Sequence, residues 1–294
     1  MVIVIVVNGS KMRASEFAEK LCAQLQSEHH TRLLLTEHRG HAKTLATESA
    51  FCCDVLICIG GDGTISECAG GIAEAIRFKQ KENCCLLLPV AFGTGNDFVR
   101  NLGIDTTADK IIQRLHLLSP VRCDIFFMEG ADSTLRYFVN ECSAGLGPEV
   151  VHMADQFPSF IKGSLRFHLA ILAAFIRYKK KSIKIVTSEF TFQGPAIAVV
   201  CANGKFFGGG IGIAPDAKIN DGLLNITVVG DVGLFEYLRY LPALKRGEKI
   251  AHPEIHYLHS ESAQIVAENL EADGEFIETG QFKIKISPYQ LRFI

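Results

Sequence analysis

The sequence predicts an α/β domain built on a parallel β-sheet, followed by a strand-rich domain that forms an antiparallel sandwich or barrel. In roughly the first 120 residues, apolar strand signals alternate with helix signals, which is typical of parallel βαβ units. After about residue 122, short segments rich in β-branched and aromatic residues dominate. Of the 294 residues, 48% are hydrophobic and 21% are charged, so the chain can bury a sizeable core.

The spacing of apolar residues predicts the elements of the first domain, residues 1–122. Residues 2–7 are uniformly apolar, as expected for a strand buried on both faces. Phe17, Leu21 and Leu25 share one face of a helix. The same reasoning gives strands at 2–7, 32–36, 54–59 and 86–92, and helices at 13–26, 41–50, 65–79, 96–102 and 108–118.

The second domain, residues 123–288, contains mostly short strands between turn residues. Its predicted strands are 124–128, 137–142, 184–187, 196–201, 224–229 and 264–267. Only residues 164–178 and 233–244 have convincing helical patterns. Because no long linker separates the halves, we expect the two domains to pack closely with a cleft between them.

Composition excludes several classes of protein. A net charge of −2 argues against nucleic-acid binding. The ten cysteines include the adjacent pairs Cys52/Cys53 and Cys84/Cys85 and form no CxxC motif, so we expect reduced thiols in a cytoplasmic protein. The apolar N-terminal run spans about seven residues, too short for a signal peptide, and no run reaches the roughly 18–20 residues of a spanning helix.

A glycine-rich turn follows the third predicted strand, and its sequence runs from Gly60 to Thr64 as GGDGT. In an open parallel sheet, ligands bind at the carboxyl ends of the strands. Glycines let the backbone approach a ligand, and the free N–H groups of the following helix suit a phosphate. Asp62 would face a metal ion or a metal-bound water there. The alternative is an ordinary turn in which Asp62 caps a helix.

A second turn of the same kind, GTGND, follows the next predicted strand and runs from Gly93 to Asp97. Two such turns at neighbouring strand ends can together hold the base and phosphates of a nucleotide. Neither turn is a P-loop or a dinucleotide-binding fingerprint. Asp97 taken alone is equally consistent with a helix cap.

Two segments of the second half carry candidate carboxylates. Asp273 and Glu275 are two residues apart, so on an extended strand both point to one side, where a carboxylate could take the proton of a substrate hydroxyl. The alternative is a solvated acidic turn. Asp221 lies between Asn220 and Gly222, and the residues alone are typical of a hairpin turn.

These motifs together resemble the diacylglycerol kinase catalytic domain of the lipid kinase family, which also includes sphingosine and ceramide kinases. The resemblance rests on GGDGT, on PVAFGTGNDFVR about thirty residues later, and on the second-half motifs NG, GGG, APDAKINDG and DGE. It covers nearly the whole chain in the expected order. It implies a nucleotide-binding α/β domain, a C-terminal antiparallel β-sandwich, and a return of residues 289–294 to the first domain.

The resemblance also implies a set of site residues. Glu275 is the expected base and Asp273 its partner, while Asp97 and Asp124 belong to an active-site network. Asp221, with the carbonyls of Lys218 and Leu223, is expected to hold Mg²⁺. The first loop departs from the family's Asn-Pro-x-Ser-Gly pattern, because it runs NGSKM. The residues implied for nucleotide binding are Asn8, Ser10, Thr36, Gly60, Gly61, Asp62, Gly63, Thr64, Ile65, Ser66, Thr94 and Asn96.

The implied reaction is transfer of the γ-phosphoryl group of ATP to a lipid hydroxyl, with diacylglycerol the leading acceptor. The partners are ATP and a lipid alcohol at a membrane surface, which the protein touches peripherally and transiently, and a homodimer is an open alternative. An apolar segment at 164–181 ends in three lysines; it is either a membrane-facing helix or a core helix with a cationic end. Rival functions are a NAD kinase, which shares GGDGT, and an inactive binding homologue.

Overall fold

A six-stranded sheet organises Met1–Ile125 together with Pro288–Ile294, which form one of two compact units of the chain. The computed structural model describes residues 1–81, 84–93, 95–157, 161 and 164–294. Thr94 therefore lies outside the described residues. The elements of this first unit are β1 (Val2–Val7), α1 (Met12–Leu25), β2 (His30–Leu35), α2 (His41–Ser49), β3 (Val55–Gly60), α3 (Asp62–Lys79), β4 (Leu86–Ala91), α4 (Asp97–Leu102), α5 (Ala108–Leu117), β5 (Val121–Cys123) and β16 (Leu291–Phe293).

The sheet of the first unit is mostly parallel, with strand order β2-β1-β3-β4-β16-β5. Strands β1, β2, β3 and β4 run in the same direction, so their carboxyl ends lie at one edge. Strands β1 and β3 are almost wholly buried, which explains why their sequences are uniformly apolar. The loops after β1, β3 and β4 are consequently brought to the same edge, as the sequence predicts.

Strand β16 fills the position between β4 and β5 although it comes from the far end of the chain. Phe293 pairs with Leu87 of β4 and with Val121 of β5. The Phe293 ring is fully buried and packs edge-on against Phe98, with 5.2 Å between ring centroids. This short strand is therefore an interior part of the first sheet.

The second unit, Phe126–Ser287, is an antiparallel β-sandwich with three helices among its described residues. Its core consists of alternating inward-facing apolar side chains, including Phe126, Phe138 and Ile265. Its elements are β6 (Phe126–Gly130), β7 (Leu135–Phe138), β8 (Glu141–Gly145), α6 (Leu146–Gln156), α7 (Ser164–Arg177), β9 (Lys181–Val186), β10 (Thr191–Ala196), β11 (Ala198–Ala202), β12 (Leu224–Val229), α8 (Leu234–Arg246), β13 (Ile255–Ser260), β14 (Ser262–Ala272) and β15 (Glu275–Ile286).

The predicted fold class is confirmed, whereas several element bounds are wrong. The single strand predicted at 137–142 is two strands, β7 and β8, separated at Val139 and Asn140. The sequence also misses β5, α6, β10, β13 and β15, and it predicts only residues 264–267 of β14. Strand β14 is long because it pairs with three strands: with β15 along its whole length, with β9 through residues 264–266 and with β8 through residues 270–272.

Most of the cysteines are buried. All ten are described as free thiols, and seven of them are buried. Among the described residues, none of the helices has the length and hydropathy needed to cross a bilayer.

Candidate functional site

The turn between β3 and α3 presents the N-terminus of a helix at the edge formed by the carboxyl ends of the parallel strands, where open α/β sheets generally bind ligands. Gly61 precedes the helix in an extended conformation, and its carbonyl accepts a hydrogen bond from Ile65 N–H at 3.1 Å. Thr64 is buried, and its Oγ1 accepts a hydrogen bond from Asn8 Nδ2 at 3.2 Å. The first α3 turn is thereby tied to the loop after β1, and its amide groups are available to an anion.

The two glycine turns are in direct backbone contact. A Cβ built on Gly93 would lie 2.5 Å from Gly61 Cα, so a side chain at position 93 requires the turns to move apart. Gly93 N–H donates to Asn96 Oδ1 at 2.8 Å, which closes the second turn. Asn96 has a left-handed backbone with φ of 52°, a conformation that asparagine tolerates.

Asp62 joins the two turns. Its Oδ1 accepts a hydrogen bond from Phe98 N–H at 3.0 Å, so it caps α4 rather than its own helix. A Cβ on Gly95 would lie 3.2 Å from Asp62 Oδ2 and 3.0 Å from Asp97 Oδ2. The alternative interpretation of Asp62 as a helix cap is therefore partly correct. Asp62 caps α4, which follows the second glycine turn, and not α3.

Lys11 lies beside the two glycine turns, and sequence reasoning missed it as a candidate site residue. Its Nζ donates to Phe92 O at 3.0 Å, and a Cβ on Gly61 would lie 3.5 Å from the same nitrogen. Burial lowers the pKa of Lys11, while the nearby Asp62 carboxylate acts in the opposite direction. The available signal was its position, since a lysine directly before α1 must lie at the carboxyl end of β1. A cation between two glycine turns suits a phosphate ligand.

The first loop is held by its own polar groups. Asn8 Oδ1 accepts from both the backbone N–H and the hydroxyl of Ser10, at 3.1 and 2.6 Å. Gly9 N–H donates to Thr36 Oγ1 at 3.2 Å, so the end of β2 is included in the same cluster. The NGSKM sequence therefore forms an ordered loop at this edge despite its departure from the family pattern.

The predicted nucleotide-binding residues differ in their positions. Ile65 is fully buried and its N–H donates to Gly61 O, and Ser66 follows it within α3. Thr94 lies outside the described residues. The residues that lie together at the sheet edge are Asn8, Ser10, Thr36, Gly60, Gly61, Asp62, Gly63, Thr64 and Asn96.

Asp97 and Asp124 are both buried and hydrogen-bonded within the first unit. Asp97 Oδ1 accepts from Arg100 Nη1 at 2.7 Å. Asp124 is 1% exposed, and its Oδ1 accepts from Gln290 Nε2 at 2.7 Å. Each buried carboxylate has a partner that offsets part of its desolvation.

The predicted catalytic carboxylates lie on a tight hairpin of the second unit. Strands β14 and β15 are joined by Asp273 and Gly274, with φ of 47° and 82°, and Ala272 pairs with Glu275 across the turn. Positive φ at both central residues is typical of a type I′ turn, for which Asp-Gly is a favoured sequence. The expected extended segment is therefore wrong, because Asp273 belongs to the turn and Glu275 starts the next strand.

The Asp273 carboxylate organises the turn by accepting three backbone hydrogen bonds. Oδ2 accepts from Val139 N–H at 2.8 Å, and Oδ1 accepts from Asn140 and Glu141 N–H, each at 3.0 Å. These are the residues at which β7 ends and β8 begins. The carboxylate thus takes over donors that the strand break leaves without ladder partners.

The Asp221 segment lies in the long connection between β11 and β12, residues 203–223, so it is not a two-residue hairpin. Asp221 is exposed, its Oδ1 accepts from Leu223 N–H at 3.1 Å, and Gly222 has φ of 76°. Lys218 is exposed three residues earlier. A carboxylate with backbone carbonyls and water is an all-oxygen donor set, which suits a small hard cation such as Mg²⁺.

Comparison with known proteins agrees with these features. Residues 1–128 match the diacylglycerol kinase catalytic domain, and residues 140–294 match the YegS C-terminal NAD kinase beta sandwich-like domain. A diacylglycerol kinase of Staphylococcus saprophyticus is 30% identical over 250 residues, covering 84% of this chain and 78% of that protein. A Stenotrophomonas maltophilia protein named “Probable lipid kinase YegS-like” is 28% identical over 245 residues, with coverage of 81% and 78%.

The fold is also that of a solved relative. A crystal structure of a diacylglycerol kinase from Bacillus anthracis superposes with a TM-score of 0.69 at 20% identity, covering 99% of this chain and 96% of that one. Since both halves of the chain match their family models in order, and a relative with 30% identity spans most of it, the family is established. The chain belongs to the lipid kinase family of diacylglycerol kinases and YegS-like proteins.

Proposed function

We propose that this protein transfers the γ-phosphoryl group of ATP to the hydroxyl group of a lipid, with diacylglycerol as the leading acceptor. The observation that carries the proposal is the contact between the two glycine turns at one sheet edge, beside a helix N-terminus and the Lys11 cation. Backbone amides and a cation offer an anion both hydrogen bonds and charge without a P-loop.

In this proposal the first unit holds and orients ATP. The amide groups of the first α3 turn bind the phosphates, and Asn8, Ser10 and Thr36 shape the loop beside them. Phosphoryl transfer has a loose transition state, so orientation and charge neutralisation contribute more than a strong base does. Lys11 stabilises negative charge on the phosphates.

The carboxylates of the β14–β15 hairpin act on the lipid hydroxyl. The hydroxyl oxygen attacks the γ-phosphorus, ADP leaves, and the hydroxyl proton passes to a carboxylate. Hydrogen bonds to a carboxylate lower its basicity, and Asp273 already accepts three. We therefore assign the proton acceptor to Glu275 and give Asp273 the part of an essential partner that fixes the turn.

Asp221 and the carbonyls of Lys218 and Leu223 would hold Mg²⁺. A bound Mg²⁺ would contribute positive charge and order to the exposed segment before β12. The residues of the chain supply one charge and otherwise neutral oxygens, so much of the coordination shell would be water.

Substitution of Asp221 tests this site without an activity assay. We expect Mg²⁺ to raise the melting temperature of the wild-type protein and to raise that of Asp221→Ala much less. Asp216→Ala is the matched control, because Asp216 is an exposed aspartate of the same connection that pairs with Lys249 at 3.1 Å. Equal Mg²⁺-dependent shifts in wild type and Asp221→Ala would exclude Asp221 as a ligand.

Helix α7 offers a surface for the membrane in which the lipid resides. Ala170 and Ala174 are fully buried, so one face belongs to the core, as one of the two interpretations of this segment holds. Another face carries Leu165 and Ile176, which are 59% and 76% exposed. Leu169 and Leu172, both half-buried, complete this second face, and the four residues form an apolar stripe along α7.

Charge favours an anionic bilayer as the partner of this face. Arg177 and Lys179 are exposed at the C-terminal end of α7, directly beyond the apolar stripe. Basic residues at the edge of an apolar helix face attract anionic lipids and allow aliphatic side chains to enter the headgroup region. We propose that α7 rests on the membrane surface during catalysis.

Vesicle sedimentation tests the α7 surface. Removing one isoleucine from an apolar environment costs about 1.5–3 kcal/mol, so Ile176→Glu should weaken binding to phosphatidylglycerol-containing vesicles about tenfold or more. Phe78→Glu, at a 73% exposed apolar residue of α3, is the control and should bind as wild type does. Equal losses of vesicle binding in both variants would refute a membrane role for α7. So would an Ile176→Glu variant that binds vesicles as wild type does but changes the oligomeric state of the protein.

The reaction itself is tested with radiolabelled ATP. Wild-type protein and Asp273→Asn are incubated with mixed micelles of diacylglycerol, ceramide or sphingosine, and separately with NAD. We expect label in a lipid product, strongest with diacylglycerol, and very little with Asp273→Asn. Label in NAD alone would support the NAD kinase alternative, and the absence of any labelled product would support a binding protein.

A further inference from the structure

Two buried glutamates lie directly behind the β14–β15 hairpin. Glu271 on β14 and Glu141 on β8 are 2% and 3% exposed. They belong to neighbouring strands, since Glu271 pairs with Ser143 and Ala272 with Cys142 in the β14–β8 ladder. Acidic side chains are almost never this buried without a partner that compensates for lost hydration.

Glu271 acts as a hydrogen-bond acceptor towards the turn. Oε1 accepts a hydrogen bond from the Ser143 hydroxyl, and Oε2 accepts one from Gly274 N–H at 3.0 Å. A Cβ on Gly147, at the start of α6, would lie only 3.4 Å from Glu271 Oε1, so α6 encloses the carboxylate. Glu271 thereby fixes the second residue of the Asp273-Gly274 turn.

Glu141 is joined to the first residue of the same turn. Its N–H donates to Asp273 Oδ1 at 3.0 Å, and its carbonyl accepts from Asp273 N–H at 2.9 Å. Glu271 lies opposite Ser143, which is two residues from Glu141 on β8, so the Glu141 and Glu271 side chains are diagonal neighbours on one face of the sheet. Glu141 Oε2 is buried without a hydrogen-bond partner. Two adjacent buried carboxylates cannot both be ionised at low cost, but they can share one proton.

Several acidic groups face this pair. Burial, and then the charge of Glu271, raise the pKa of Glu141 well above its ordinary value of 4.5, and Asp273 and Cys201 act in the same direction. Burial also raises the pKa of Glu271, but the hydrogen bonds from Glu141, Ser143 and Gly274 oppose that rise. The proton of the pair is therefore assigned to Glu141.

We propose that Glu141 carries a proton that it donates to Glu271, and that this acid pair is a positioning device that fixes the Asp273-Gly274 turn. Glu271 then accepts from three donors, namely the Glu141 carboxyl, the Ser143 hydroxyl and Gly274 N–H. The catalytic consequence rests on the proposed function of the hairpin, whereas the shared proton does not. Ionisation of Glu141 would place two negative charges behind the turn and loosen it.

The first experiment measures unfolding by urea at several pH values and needs no substrate. Above the ordinary glutamate value of 4.5, the folded wild type retains a proton that the unfolded chain has lost, so its stability falls as pH rises. Glu141→Gln keeps a donor and removes this titration. The unfolding constant of wild type should therefore rise relative to that of Glu141→Gln by about tenfold per pH unit from pH 5.5 upward, until Glu141 ionises.

The control for this measurement is Glu268→Gln. Glu268 lies on β14, the strand of Glu271, but it is exposed, with a 65% exposed side chain paired to Lys181 at 2.8 Å. The unfolding constant of Glu268→Gln should have the same pH dependence as that of wild type. Parallel pH profiles of wild type and Glu141→Gln would show that Glu141 holds no proton, and this result would overturn the proposal whatever the enzyme does.

The second experiment compares the kinetics of Glu271→Gln and Glu141→Gln. Glu271→Gln replaces one carboxylate oxygen by an amide NH₂ group, which would face a donor such as the Ser143 hydroxyl or Gly274 N–H. We expect kcat to fall at least about tenfold and KM for ATP to stay unchanged. Glu141→Gln retains the donor, so it should retain kcat and extend activity to higher pH. A Glu271→Gln enzyme with wild-type kcat and pH profile, or equal losses in both variants, would overturn the positioning role. Failure of wild type to phosphorylate any lipid would instead refute the proposed function and leave the unfolding result intact.

Discussion

A Glu275→Gln variant is expected to lose about 10²–10⁴ in kcat while binding ATP as tightly as wild type. Gln keeps the size and most hydrogen bonding of Glu but cannot take the proton of the lipid hydroxyl, and loss of a general base typically has this magnitude. ATP affinity should not change, because the glycine turns belong to the other unit. The measurements are kcat at saturating lipid and ATP titration by calorimetry.

Asp273→Asn should lower kcat to a similar extent and destabilise the protein as well. The Asn amide nitrogen would face one of the backbone N–H groups that now donate to the carboxylate, and an unsatisfied buried donor costs about 1–3 kcal/mol. Thermal unfolding should thus distinguish the two variants. If the residues act as a unit, the double variant will be little worse than either single one.

Glu261→Gln is the matched control, because Glu261 is an exposed acidic residue in the connection between β13 and β14, at the opposite end of β14 from the Asp273-Gly274 turn. It should leave kcat unchanged. Near-normal kcat for Glu275→Gln would transfer the role of base to Asp273. Full activity of both single variants would remove the hairpin from the mechanism and make Asp62 the next candidate.

Gly61→Val should weaken ATP binding at least about tenfold, which corresponds to about 1.4 kcal/mol. Its Cβ would lie 3.0 Å from Gly93 Cα and 3.5 Å from Lys11 Nζ, and the two further methyl groups must occupy space beside the phosphate site. Calorimetric titration with ATP and far-ultraviolet circular dichroism measure binding and folding separately. Unchanged ATP affinity would remove Gly61 from the phosphate site.

Gly63→Ala separates contact with ATP from contact within the protein. A Cβ at Gly63 would meet no protein atom within 4 Å, and alanine is about 0.8–1 kcal/mol better than glycine in a helix. The variant should therefore be at least as stable as wild type. Weaker ATP binding by this stable variant would locate the phosphate directly above the first turn of α3, whereas equal binding would place it nearer to Gly61.

Short-range sequence patterns were enough to predict the parallel strands and the glycine turns, because these features depend on residues that are close together in sequence. The uniformly apolar β1 and β3 predict a parallel sheet, and the glycine turns after β3 and β4 predict which of its edges carries the candidate site. The DGE motif drew attention to residues 273–275, but the sequence predicted an extended strand where the structure has a tight turn. Its turn conformation depends on N–H groups supplied by Val139, Asn140 and Glu141, more than 130 residues away in sequence.

The remaining features depend on pairings that a single sequence does not display. The proximity of Lys11 to Phe92 follows from the order of β1, β3 and β4 in the sheet. The pairing of Glu141 with Glu271 follows from the β8–β14 register, and neither glutamate differs from a surface residue in its local sequence. Such contacts become predictable only when strand order and register are known.

The place of β16 between β4 and β5 has a consequence for biosynthesis. Strands β1 to β5 have all been synthesised once translation reaches Cys123. The sheet still lacks its interior strand β16 until Leu291–Phe293 have been translated. At roughly 5–20 residues per second, the interval lasts on the order of ten seconds to half a minute. During it, the apolar edge of β4 has no partner from its own chain, and unpaired edges invite aggregation. The nascent protein should therefore need this edge to be shielded, because the first unit can complete its sheet only after the sandwich has been synthesised.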